Sequence, residues 1–122
     1  MTDILELAAK VEALDGPDRE VDLDIWWQCK ANRGSAKQPM PEDYRQSNLR
    51  MNDAPRYTAS LDAAMTLVPE GRQLSMETYD HNGIYPAHVR ASAWVQGAER
   101  CFAANLALAL VAAALRVKGG EQ

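Results

Sequence analysis

The chain has 122 residues, 47% of them hydrophobic and 25% charged, and a formal net charge of −4. This length and composition are typical of one globular domain, which we expect to span residues 1–122. The acidic balance argues against a nucleic-acid binder, which would need a basic surface. No basic leader precedes the first helix pattern, and the longest apolar run, 106–115, is too short to cross a bilayer. We therefore expect a cytoplasmic protein without a membrane segment.

Two helix patterns open the chain, separated by Gly16-Pro17. Residues 2–15 carry one stripe of apolar side chains at spacings of three and four, which predicts an amphipathic helix. The stripe consists of Ile4, Leu7, Val11 and Leu14. A second helix is predicted to begin near Asp18. Its inner face consists of Val21, Ile25 and Cys29.

Residues 31–55 form a long irregular segment, because Gly, Pro, Ser and Asn interrupt every period there. Such a segment is either functional or mobile, and the sequence leaves both open. A short helix follows, capped by Ser60 or Thr58 and stopped by Pro69 and Gly71. Its predicted apolar side chains are Leu61, Ala64, Met65 and Val68.

The rest of the chain contains strand patterns. Residues 74–79 and 87–95 alternate apolar and polar side chains, and 100–103 can return as a third strand. The dipeptide Asn82-Gly83 predicts a hairpin between the first two strands.

A two-residue hairpin turn would fix the pairing of those two strands. It sets Met76 opposite Val89, so that apolar meets apolar, and Glu77 opposite His88. Pro86 fits this pairing poorly because it has no N–H to donate, so a wider loop is the alternative. The assignment of side chains to faces survives a register shift of two residues.

These elements predict an α+β fold in the order α-α-loop-α-β-β-β-α, with an antiparallel sheet of about three strands flanked by helices in a sandwich-like arrangement. The last helix, capped by Asn105, is apolar nearly all round, so we expect it to be buried on more than one side. Its alanines permit close approach of a neighbour. Residues 105–118 are therefore also a candidate contact with a second copy of the chain.

The sequence predicts no metal site, no cofactor and no catalytic motif. Two histidines and two cysteines stand apart without metal-ligand spacing, and no phosphate-binding or nucleophile fingerprint occurs. We expect Cys29 and Cys101 to be buried thiols, with a disulfide as the alternative. His81 belongs to a turn. His88 opposite Glu77 is the one pair that could serve as acid and base, although a simple cross-strand ion pair is a far commoner arrangement.

One group of side chains is suited to binding a ligand. The strand at 87–95 places one positive and one aromatic side chain on the same face, and further such groups enter the short helix. The candidate ligand-binding residues are Arg90, Trp94, His88, Arg56 and Tyr57, together with Ser92. Arg fixes phosphates or carboxylates, and Trp and Tyr stack on planar rings. In the alternative interpretation, a helix covers Trp94 and Arg90 bridges to acids of residues 18–24.

Three phrases of the chain resemble a known family. "ILELAAKVEALDGPDREVD", "YTASLDAAMTLVPEG" and "LALALVAAALRVK" are similar to the phage ABA sandwich domain family, small bacteriophage and prophage proteins of unassigned activity. The resemblance covers about residues 4–24 and 56–118. The chain departs from the family pattern at Arg72, where Trp is common, at Asn105, where the last helix often starts with Thr-Pro, and in the longer segment 30–55.

The resemblance implies a fold and a setting, the cytoplasm of a bacterial host cell, and no catalytic residue. It implies a non-enzymatic accessory binding protein that acts stoichiometrically on a host or defence component, either a small nucleotide signal or a protein surface. The alternatives are a small nucleotide-acting hydrolase and an oligomerising virion or assembly accessory protein. The expected partners are thus a host or defence protein or a nucleotide-like molecule, with nucleic acid disfavoured.

Overall fold

The computed structural model describes residues 4–31, 43, 46, 55–78 and 90–120. Their elements follow the predicted order and confirm the α+β class. They are α1 (Ile4–Glu12), α2 (Arg19–Trp26) with a π-helical turn (Trp27–Ala31), α3 (Leu61–Met65), β1 (Leu74–Thr78), β2 (Ala91–Val95), β3 (Cys101–Ala103) and α4 (Leu106–Gly120). The predicted irregular segment lies almost entirely outside the described residues, as does the predicted turn at Asn82-Gly83.

The sheet is antiparallel, with the strands in the order β1-β2-β3. Its first face, as predicted, is mainly apolar: Leu74, Met76, Thr78, Ala91, Ala93, Val95, Cys101 and Ala103. Its second face carries Ser75, Glu77, Ser92, Trp94 and Phe102. This division into faces follows from the alternation of side chains along each strand.

The predicted two-residue hairpin register is wrong. Met76 pairs with Ala93 instead of Val89, and Glu77 pairs with Ser92 instead of His88. Each pairing partner lies four residues further along β2, which preserves the two-residue period of the faces. Pro86, which fits the predicted pairing poorly, lies outside the described residues. His88 itself lies outside the described residues.

Helix α4 forms the centre of the core. It contacts all three strands on the first face and also packs against α1 and α3. Residues 107–115 are all buried within the single chain. This stretch therefore has no exposed face for a second copy, in contrast to the predicted helix contact. The small alanine side chains allow its neighbours to approach from several directions.

Helix α1 covers the other side of α4. Ile4, Leu7 and Val11 are buried as the stripe predicts, and Leu14 is half-buried. The ends of the two helices come so close that a Cβ added at Gly119 would lie 2.8 Å from Ile4 Cγ2. In the described part of the chain, the helices that contact the sheet cover its first face, and the helix expected on the other face has no counterpart there.

Helix α3 begins where the sequence predicts and ends early. Ser60 Oγ accepts a hydrogen bond from the Ala63 N–H at 3.3 Å. After Met65 the backbone bonds span three residues, for example Leu67 N–H to Ala64 O at 3.0 Å. This tighter winding buries Leu67 beside Ala64 and leaves Met65 40% exposed.

Candidate ligand-binding site on the second face of the sheet

The second face of the sheet carries a polar cluster centred on Arg100. This residue immediately precedes β3, and its side chain reaches across the strands. Its Nη1 donates to Ser92 Oγ at 2.8 Å, and its Nη2 donates to Ser75 Oγ at 3.0 Å. Two hydroxyls on neighbouring strands therefore hold one guanidinium in place. We call Arg100, Ser75, Ser92, Trp94 and Phe102 the Arg100 cluster.

The Arg100 guanidinium has no carboxylate partner within the described ranges. Two other half-buried arginines do have one: Arg19 pairs with Asp22 at 2.8 Å, and Arg116 pairs with Glu12 at 2.9 Å. A partly buried positive charge without a counter-ion is costly, because neutral hydroxyls compensate its desolvation only in part. An external anion could supply the missing negative charge.

Two aromatic residues lie on the same face of the sheet as this guanidinium. Trp94 is half-buried and lies directly opposite Ser75, and Phe102 lies opposite Ser92 with 37% of its surface exposed. Cross-strand neighbours on one face stand about 5 Å apart, so ring and charge border the same hydroxyls. Such a surface can hold an anion and a planar group together.

Some predicted site residues belong to this face. Trp94 and Ser92 lie together, as the strand pattern predicts. Arg90 stands just before β2, where its N–H donates to Ala103 O at 3.0 Å and its side chain is exposed. By alternation Arg90 shares the face of Ser92, at the edge of the cluster. His88 lies outside the described residues.

The other two predicted site residues lie elsewhere. Arg56 is exposed, and Tyr57 is buried in the core with 1% of its surface accessible. Burial raises the pKa of Tyr57 to about 12, with smaller contributions from Cys29 and Asp22 nearby. Its ring packs in the core, away from Trp94, and offers no stacking surface to an external ligand.

A buried polar junction fixes the turn that carries Tyr57. Asp22 is fully buried, and its Oδ1 accepts from Thr58 N–H at 2.7 Å and from Thr58 Oγ1 at 2.8 Å. Its Oδ2 accepts from Arg19 Nη1 at 2.8 Å. The carboxylate is thus fully engaged inside the protein, and we assign it a structural role.

A second buried group lies where β3 meets the helices. Burial, together with a hydrogen bond to Glu12, raises the pKa of the Cys101 thiol to about 12. The thiol is reduced, as is that of half-buried Cys29. A separate hydrogen bond, from Arg116 Nε to Glu12 Oε1, raises the pKa of Arg116. Among the described residues, no group of three His, Cys, Asp or Glu side chains is arranged to hold a metal ion.

Arg100 is a candidate site residue that the sequence pattern did not single out. It stood there only at the start of the predicted third strand, 100–103. Continuing the alternation of β3 back from Phe102 would have placed Arg100 on the same face as Ser92 and Trp94. The alternation therefore predicts the face on which Arg100 lies. It does not predict the contact with Ser75, because that contact depends on the register of the strands.

Comparison of the chain with protein-family models, with curated proteins and with solved structures finds no match. No helix in the described part of the chain has the length and apolar character needed to cross a membrane.

Proposed function

We propose that this protein is a non-enzymatic accessory binding protein of the phage or prophage type, which acts in a bacterial host cell by binding a host or defence component stoichiometrically. The binding surface is the Arg100 cluster on the second face of the sheet. The component is either a small nucleotide-like molecule or an acidic patch on a protein.

The observation that carries this proposal is the Arg100 guanidinium. It is fixed by Ser75 and Ser92 and meets no carboxylate among the described residues. A guanidinium held in this way is preorganised, so little conformational entropy is lost when an anion binds. The resemblance of the three sequence phrases to phage proteins supports the setting.

The two alternative functions lose the features that suggested them. The hydrolase hypothesis nominated Glu77 and His88 as a facing pair, but Glu77 faces Ser92. The oligomeriser hypothesis relied on a contact through the Ala-rich helix at 105–118, of which residues 107–115 are buried within the chain. We therefore retain stoichiometric binding as the proposed function.

A capture experiment tests the proposal. Purified protein is incubated with a bacterial extract, washed and denatured, and the released small molecules and proteins are identified by mass spectrometry. We expect the wild type and Lys10→Gln to retain the same component in roughly stoichiometric amount, and Arg100→Gln to lose it. Lys10→Gln is the matched control because it removes one positive charge at an exposed site on α1, outside the cluster. Equal retention by all three proteins would overturn the proposal.

A further inference from the structure

We propose that the Arg100 cluster is a binding site for a nucleoside monophosphate group, with the phosphate on Arg100 and Ser75 and the base on Trp94. This inference rests on the proposed function and assigns a chemical class to the component that is bound.

The anion follows from the hydrogen-bond donors that the cluster presents. A guanidinium carries five N–H donors, and the bonds to Ser75 and Ser92 account for only part of them. The Ser75 hydroxyl accepts from Arg100, so its own hydrogen can point to an incoming oxygen. A phosphate has enough oxygens to accept from both groups at once, and charge-assisted bonds to phosphate are the strong ones.

The ring follows from the exposure of the aromatic side chains. Trp94 is half-buried, so part of its indole is already fixed by the protein while the rest meets solvent. A fixed aromatic surface beside a positive charge is how proteins stack bases without reading their sequence. Phe102, with 37% exposure, extends this surface on the neighbouring strand.

The link between ring and anion follows from the strand register. Trp94 lies directly opposite Ser75, and the Arg100 Nη2 lies 3.0 Å from the oxygen of that serine. Trp94, which would stack on the base, and Arg100, which would bind the phosphate, therefore both neighbour the Ser75 hydroxyl. A compact ligand, in which a short sugar joins base and phosphate, satisfies this spacing. A long polyanion would instead need a basic surface, and the chain carries a net charge of −4.

Isothermal titration calorimetry tests this assignment directly. The probes are the common nucleoside monophosphates, the matching nucleosides, inorganic phosphate, and nicotinate as an aromatic carboxylate. We expect at least one monophosphate to bind about tenfold or more tightly than its nucleoside and than nicotinate, because a charge-assisted hydrogen bond contributes that much. Binding should weaken as salt is added, since the contact is an ion pair.

Three variants and one control assign the contacts. We expect Arg100→Gln to reduce affinity for the monophosphate roughly 10- to 100-fold, towards that of the nucleoside. Ser75→Ala retains the arginine and should weaken phosphate binding by a few-fold. Trp94→Leu should weaken nucleoside and monophosphate equally, because it removes only the stacking surface. Lys10→Gln, with the same loss of one positive charge at an exposed site on α1, should bind as the wild type does.

Several outcomes would overturn the inference. They are equal affinity for nucleoside and monophosphate, nicotinate binding as tightly as the monophosphate, unchanged binding by both Arg100→Gln and Ser75→Ala, or no binding of any probe. If no probe binds but an extract component is still captured by the wild type and lost in Arg100→Gln, the nucleotide assignment fails and the proposed function stands. If no probe binds and no extract component is captured, the nucleotide assignment and the proposed function both fail.

Discussion

Asp22 joins two parts of the chain that are 36 residues apart in sequence, and it does so from the fully buried face of α2. A buried carboxylate is tolerated only when hydrogen bonds replace its water, and Thr58 and Arg19 supply them. The sequence gives no sign of this role, because an aspartate in an acidic helix is usually solvated. Only the contact with Thr58, which the fold creates, distinguishes Asp22 from its acidic neighbours.

We predict that Asp22→Ala lowers the free energy of unfolding by about 2 to 4 kcal/mol, because it leaves the Thr58 N–H buried without this acceptor and removes the ion pair with Arg19. Urea denaturation followed by circular dichroism measures the change. Asp15→Ala removes an exposed carboxylate and should stay within about 0.5 kcal/mol of the wild type. Equal effects of the two substitutions would contradict the structural role.

The Cys101 thiol makes stability depend on pH at the alkaline end. Its pKa is raised to about 12 in the folded chain, above its ordinary value of 9.0, so the unfolded chain loses this proton first. The contribution of this thiol to the free energy of unfolding is fully present below about pH 9 and is lost progressively as the pH rises towards 12. We predict that unfolding becomes easier above pH 9 and that Cys101→Ala makes this decline shallower, as measured by urea denaturation across that range. A decline of the same slope in both proteins would contradict the assignment.

The helix starts were predictable because they depend on local contacts. Asp18 accepts from the Glu20 and Val21 N–H groups at the start of α2, and Asn105 Oδ1 accepts from the Leu108 N–H at 2.7 Å at the start of α4. Cap residues act within three residues of themselves, so a sequence carries the signal in one place. The faces of the strands were predictable because the alternation of side chains along a strand is also a local pattern.

Contacts between distant elements were not predictable in this way. The hairpin prediction assumed a two-residue turn, which fixed the wrong pairing of Met76 and Glu77. The period of a strand defines which side chains share a face but leaves shifts by two or four residues open. The Arg100 contacts with Ser75 and Ser92 depend on that choice, so the centre of the candidate site emerged only from the fold.

The cap of α4 offers a test at the scale of elements. We predict that Asn105→Ala lowers the free energy of unfolding by about 1 kcal/mol, while Asn105→Ser restores most of it because serine also caps helices. Urea denaturation of both variants measures the difference. The side chain also reaches Thr58 O at 3.5 Å, a contact that serine is too short to replace, so a small deficit should remain. Equal destabilisation by alanine and serine would contradict the capping role.

For the whole molecule, stability centres on α4, which packs against α1, α3 and every strand. We predict that its backbone amides exchange with deuterium only when the entire domain unfolds, since local opening would break contacts on all sides. The amides of α3, a five-residue helix with exposed Met65, should exchange much earlier. Hydrogen exchange with mass spectrometry or NMR detection measures both. Early exchange in the middle of α4 would contradict this arrangement.

The central claim is that the second face of the sheet binds an anion at Arg100, and NMR of arginine side chains in the wild-type protein tests it most directly. A nucleoside monophosphate is titrated while the Nε–H signals of Arg100 and Arg116 and the indole N–H of Trp94 are followed. Arg116, whose Nε already donates to Glu12 at 2.9 Å, is the internal control. We predict saturable shifts of the Arg100 and Trp94 signals and an unchanged Arg116 signal. An unmoved Arg100 signal, or equal shifts at Arg100 and Arg116, would contradict the account.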